Sequence, residues 1–213
     1  MKTMNDLMLH FLQDIYYAEK LGIRSMAKLA KAVENPELRD AILAHREQSQ
    51  GQIERLDQVF EHMDKKPRGK TCAAMDGLVE EGAEAMEEAD KGPVLDAALI
   101  ACGQAIEHYE IARYGAMVAW AKGMGQNEVA GLLQQTLDEE KANDQLMNEI
   151  AERAVNQQAR NVDEEDEGDD EKDESPSTTE EPAPKKAAAK ARKPAAPKPA
   201  APKPAAKKPA AKK

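Results

Sequence analysis

Apolar residues recur every three or four positions from Met4 to about Val155, the spacing of one face of a helix. Met8, Phe11, Ile15, Ala18, Gly22, Met26, Leu29 and Val33 form the first stripe, within a helix predicted from Met4 to Val33. Asn35-Pro36 ends it, and Pro36 suits the first turn of a second helix, because the amide it lacks would find no partner there anyway. The second stripe runs Leu38, Ile42, His45, Ser49, Gln52, Leu56, Val59 and Met63. Lys65 to Lys70, with Pro67 and Gly69, reads as a loop. A shorter helix spans Thr71 to Ala89 through Met75, Leu78, Val79, Gly82 and Met86, and Gly92-Pro93 closes it. A third long helix is predicted from Val94 to Lys122, through Ile100, Gly103, Glu107, Glu110, Tyr114, Met117 and Ala121. After Gly123 and Gly125 the last runs from Asn127 to Val155, through Leu133, Leu137, Glu140, Asp144, Met147 and Ala151.

Two hairpins of long helices, joined by a segment with its own short helix, predict an all-α, ferritin-like four-helix bundle. The expected bundle covers residues 1–157. Composition agrees with helices, since aromatics are only 3 % of the chain and helix-favouring Ala, Glu, Lys and Leu abound. Charge separates the rest. Residues 163–181 hold 12 acids and one Lys, whereas residues 182–213 hold 11 Lys and Arg and no acid. Neither block can bury apolar surface, so residues 158–181 are expected to be an acidic disordered linker and 182–213 a basic disordered tail rich in Lys, Ala and Pro.

Cys72 and Cys102 are too few for a disulfide framework, and neither sits in a zinc-binding spacing. A reducing cytoplasm is therefore expected. The first twenty residues carry Asp6, His10, Asp14 and Glu19, which argues against a signal peptide, and no apolar run is long enough to cross a membrane. No membrane partner is expected.

Each long stripe is interrupted at mid-length by polar residues that packing alone does not explain. The first helix offers Asp14 and Glu19; the second His45, Gln48 and Gln52; the third Glu107 and Glu110, with His108 beside them; the last Glu140 and Asp144. Several carboxylates buried together cost many kcal/mol unless a positive charge pairs with them. No Lys or Arg occupies these stripe centres. A metal ion would resolve the conflict, and oxygen donors with an imidazole suit iron or manganese. Glu140 and Asp144, four residues apart, lie a turn apart on one face. The hairpins also repeat, with 34 residues from Asp14 to Gln48 and 33 from Glu107 to Glu140.

Five segments then carry a resemblance: Asp14–Lys20, Gly51–Val59, Asp96–Ile100, Glu107–Ala112 and Thr136–Lys141. Together they closely resemble the YciE/YciF-like proteins, a bacterial ferritin-like group linked to stress responses, over about residues 3–155. The resemblance implies a homodimer of ferritin-like bundles with a dinuclear metal centre of iron or manganese. It carries over Glu19, Glu107, Glu110, Glu140 and Asp144 as ligands or their hydrogen-bonding supports, with Asp14, His45, Gln48 and Gln52 as further candidates. Many relatives carry Glu at the position of Gln48 and some His at that of Gln52; this chain has neutral amides, which are weaker ligands.

Plainer readings stand beside these. The carboxylates are otherwise a solvated helix edge, His45 a hydrogen-bonded core histidine, and His108 an edge residue. Tyr114 and Trp120 read as packing or dimer contacts, while Tyr16 or Tyr17 is expected to hydrogen-bond a ligand carboxylate. The cysteines and methionines read as core residues. The tail cations are Lys185, Lys186, Lys190, Arg192, Lys193, Lys198, Lys203, Lys207, Lys208, Lys212 and Lys213. Spaced by Ala and Pro as in linker-histone tails, they fit non-specific, salt-sensitive DNA binding, and with it nucleoid association. The functional expectation is thus a metal-binding stress protein handling iron or peroxide, tethered to DNA; as an enzyme it would be a di-metal oxidase, a ferroxidase or a peroxide-consuming protein. The alternative is a non-enzymatic DNA-associated scaffold whose bundle dimerises around an empty metal site.

Overall fold

The computed structural model describes residues 1–162, so the acidic block from 163 and the basic tail lie outside the described residues. The described chain is all-helical, with five α-helices in the order α1 (Met4–Ala32), α2 (Pro36–His62), α3 (Ala73–Glu88), α4 (Pro93–Gly123) and α5 (Asn127–Ile150). These follow the apolar stripes closely. At Ala151–Val155 the helix widens into one π turn, then continues through residue 162, past the boundary expected at 157.

Local chemistry fixes the ends. Thr3 and Asp6 form a reciprocal capping box at the start of α1, satisfying two otherwise unpaired amides. Asn35 accepts from Leu38 N at 3.0 Å to start α2. The turn between these helices is held from elsewhere in the chain: buried Asp96 of α4 accepts from Glu34 N at 2.9 Å and Asn35 N at 2.7 Å. Arg39 donates to the carbonyl of Val33 at 2.7 Å, satisfying the end of α1. Between α4 and α5, Gly125 takes φ 71°, which favours glycine, and Gln126 N donates back to Ala121 O at 2.9 Å.

The long helices close a ring: α1 packs on α2 and α4, and α5 packs on α4 and α2. Across one side lies α3, against α1 and α4, burying Cys72 and Met75. The apolar interior is split. One cluster gathers Met8, Leu12, Phe60, Met117 and Leu133; the other gathers Leu29, Leu38, Leu99, Ile150 and Val155. Polar residues from all four long helices stand between them: Glu19, His45, Ser49, Gln52, Glu107, Glu110, Glu140 and Asn143, each buried.

Candidate metal centre

Helical periodicity brings these polar side chains together, because each lies on the same inward stripe as the apolar residues a turn away. His45 Nε2 of α2 is 3.2 Å from Glu107 Oε1 of α4 and 3.6 Å from Glu140 Oε2 of α5. With Glu110, these residues offer four ligand atoms that all lie within 4.8 Å of one another. Glu19 of α1 faces the same space, and Tyr114 O–H donates to its Oε1 at 2.5 Å. Gln52 donates its amide N–H groups to Glu140 Oε1 and, at 3.1 Å, to Glu139 Oε2. Glu139 also pairs with Arg55, whose Nε donates to Thr136 at 3.1 Å.

Burial dominates the electrostatics. It pushes Glu110 well above the usual carboxylate range, helped by the charges of Glu19 and Glu107, and does the same to Glu140, helped by Glu110 and Glu19. Burial raises Glu19 to about 7, with the Tyr114 hydrogen bond and His45 opposing it. For His45, burial disfavours the charged ring, yet the hydrogen bond and charge of Glu107 outweigh it and hold the imidazole above its ordinary value. Glu107 shows the counterpart. Its desolvation is outweighed by His45, Glu140 and Asn143, and it falls below the usual range. One ion pair therefore serves the layer, and the remaining carboxylates lack a counter-charge.

That deficit is where a cation fits. Oε2 of Glu107 and Oε2 of Glu140 are buried with no hydrogen-bond partner, although such atoms ordinarily find one. A divalent ion would engage the free carboxylate oxygens and the imidazole together, through three carboxylates and one nitrogen. An apolar cavity of about 30 Å³ adjoins the cluster, walled by Met26, Leu38, Leu99 and Met147 and reached by Glu19, His45, Glu107 and Glu110. It has room for a water or two.

Comparison with known proteins places this arrangement in a family. The family described as a domain of unknown function (DUF892) matches residues 3–160. The chain belongs to this family. It is 47 % identical over 162 residues to protein YciF of Escherichia coli K12, a match covering 76 % of this chain and 98 % of that protein. Among solved structures, the E. coli stress protein YciF superposes with a TM-score of 0.70 at 47 % identity, covering 73 % of this chain and 99 % of that one. YcfI from Rhodopseudomonas palustris gives 0.67 at 48 % identity, covering 69 % and 94 %. A Xanthomonas campestris protein gives 0.58 at 26 %, covering 77 % and 99 %.

Within this DUF892 fold, Glu19, His45, Glu107, Glu110 and Glu140 come together with Gln52 bonded to Glu140, while Asp14, Gln48 and Asp144 lie apart. Asp144 turns to the edge, where its Oδ1 accepts from Gln104 at 3.2 Å and lies 3.4 Å from exposed His108 Nε2. Asn143, one position earlier, is the residue that faces Glu107. Asp14 is buried apart from the cluster, accepting from Tyr109 O–H at 2.6 Å, and the Tyr109 hydroxyl lies 2.9 Å from Cys72 Sγ. Gln48 is exposed, whereas Gln52 is fully buried. Tyr17 donates to Asp76 at 2.6 Å and Tyr16 accepts from Lys20 at 2.9 Å, so neither is bonded to a carboxylate of the cluster. Tyr114, read from sequence as a packing residue, is. Its place seven residues after Glu107 on one stripe was the available signal. Among the described residues no helix is long and apolar enough to cross a membrane. The eleven tail cations lie outside the described residues.

Proposed function

We propose that this chain is a ferritin-like four-helix metal-binding protein that handles iron or peroxide under stress; its relative YciF is a stress protein. The supporting observation is the set of buried, uncompensated oxygen atoms around His45, Glu107, Glu110 and Glu140. In this reading His45 Nε2 and the three carboxylates hold an iron or manganese ion, and Glu19 supplies a further carboxylate toward a second. A redox-active metal supplies one-electron chemistry on dioxygen or peroxide when bound. Tyr114 orients Glu19, Gln52 fixes one oxygen of Glu140, and Asn143 steadies Glu107. The apolar walls of the cavity leave room for only a water or two beside the cluster. Purified full-length chain dialysed with Mn(II), or with Fe(II) under nitrogen, should retain at least one ion per chain and melt at a higher temperature than the chelated protein, since metal bound only by the folded state stabilises it. Absence of both retained metal and thermal shift would remove this reading.

The tail supports a second, compatible element. Eleven cations without an acid fit a sequence-blind tether to DNA in the cytoplasm and nucleoid, with the bundle as a homodimer. A chain ending at Glu181 should lose DNA binding in gel shifts, and full-length binding should weaken steeply as salt rises. Equal affinity for both forms would discard the tether. DNA binding in a chain that retains no metal would instead favour the non-enzymatic scaffold.

A further inference from the structure

His45 divides two spaces. On its inner side lie the carboxylates and the apolar cavity; on its outer side a groove of about 250 Å³ runs between α2 and α5, with Gln48, Ala44, Ala142 and Leu146 along its walls and His45 and Asn143 at its floor. Small side chains border the groove: Ala44 and Ala142 are both exposed, and neither fills the seam above the imidazole. The opposite side of the ring is covered by α3, whose Met75 and Cys72 are buried against α1 and α4. No described element lies across α2 and α5 in that way. At one end of the groove Glu139 lines its wall, and there Arg55 ties α2 to α5 through Thr136 and Glu139.

The floor is polar and incompletely satisfied. Nδ1 of His45 is buried without a hydrogen-bond partner, and the amide oxygens of Gln48 and Asn143, with the Arg55-paired carboxylate of Glu139, offer hard oxygen donors along the groove. Neutral oxygens can replace water around a divalent cation without holding it as tightly as carboxylates, so they suit transfer rather than storage. From these observations we propose that the α2–α5 groove is the entry for divalent cations, with Gln48 and Asn143 stripping the hydration shell and the His45 ring as the inner gate before the carboxylate cluster. This route rests on the metal-binding reading above, because it leads to the same cluster.

Loading kinetics separate the two. Co(II), followed by its visible absorption in a stopped-flow instrument, is mixed with metal-free full-length chain, and the final Co(II) content is measured at equilibrium. Ala44→Trp and Ala142→Trp each place a large ring over the groove from an exposed position that leaves the interior packing alone. Ala74→Trp, exposed on α3, is the control. The groove variants should load about tenfold more slowly, the effect of a modest added barrier, yet reach the wild-type Co(II) content, while the control loads at the wild-type rate. Wild-type rates in both groove variants overturn the route while leaving the metal centre in place. Equal slowing in Ala74→Trp overturns it too, because the effect is then not local to the groove. A wild-type chain that binds no Co(II) at equilibrium overturns the metal-binding reading and, with it, any route to the site.

Discussion

Glu140→Gln is expected to make the metal-free chain more stable and at the same time to abolish its retention of metal. Glu140 is fully buried, and its carboxylate faces Glu107, Glu110 and Glu19 with a half-share in one imidazole. Without a cation that charge is a liability, and replacing it by an isosteric amide keeps an oxygen to accept from Gln52 while removing the repulsion. Removing uncompensated buried charge should raise the stability of the chelated protein by about 1 to 3 kcal/mol at pH 7. That corresponds to a melting point higher by roughly 5 °C for a chain of this size. A structural glutamate would give the reverse, since deleting a satisfied buried ion costs stability. Thermal melts of chelated and Mn(II)-loaded proteins decide between them: a less stable metal-free variant, or one retaining wild-type metal, refutes the assignment. The pH profile carries the same sign. Unfolded Glu19 ionises above about 4.5, but in the folded chain it keeps its proton up to about 7. Its contribution is therefore complete below pH 4.5 and lost as pH rises toward 7, a fall of about 3 kcal/mol. Metal stabilisation should climb across the same window, because ligands must lose their protons first.

The helices were legible because their signals are local. Stripes of spacing three and four, Asn35-Pro36, Gly92-Pro93 and Gly125 are written in a few consecutive residues, and every helix end but the last falls within a residue or two of where they point. The polar layer was legible in outline for the same reason. Its register was not, since neighbouring positions on a helix differ by about 100° and a polar stripe does not say which of two candidates faces inward. Hence Asn143 rather than Asp144 lies inside, and Gln52 rather than Gln48 is fully buried. The Tyr114–Glu19 and Tyr109–Asp14 bonds each join residues 95 positions apart, and no local pattern encodes such a pairing. The π turn at Ala151–Val155 was equally hidden, because it breaks the spacing on which helix prediction rests.

The corrected register gives the repeat a sharper form, from which Gln52→Glu draws its expected effect. Gln52 follows Glu19 by 33 residues, as Glu140 follows Glu107, so the buried positions repeat at one interval in the two hairpins, with an amide where the other half has a carboxylate. Gln52 is fully buried and donates to both Glu139 and Glu140. Converting it to Glu removes two N–H donors and sets a like charge beside two carboxylates, which should cost the metal-free chain about 3 kcal/mol or more at pH 7. With metal the balance inverts. The new carboxylate restores the symmetry of the two halves and gives Glu19 a partner in holding a second ion, the arrangement of dinuclear carboxylate sites in helix bundles. Mn(II) content per chain should therefore rise in the variant, and the stabilisation on adding Mn(II) should exceed that of the wild type. Elemental analysis with paired melting curves checks both. A chain destabilised without metal and unchanged in Mn(II) content would show Gln52 to be a hydrogen-bonding support for Glu140, outside the coordination sphere, and would confine the centre to the ligands around His45.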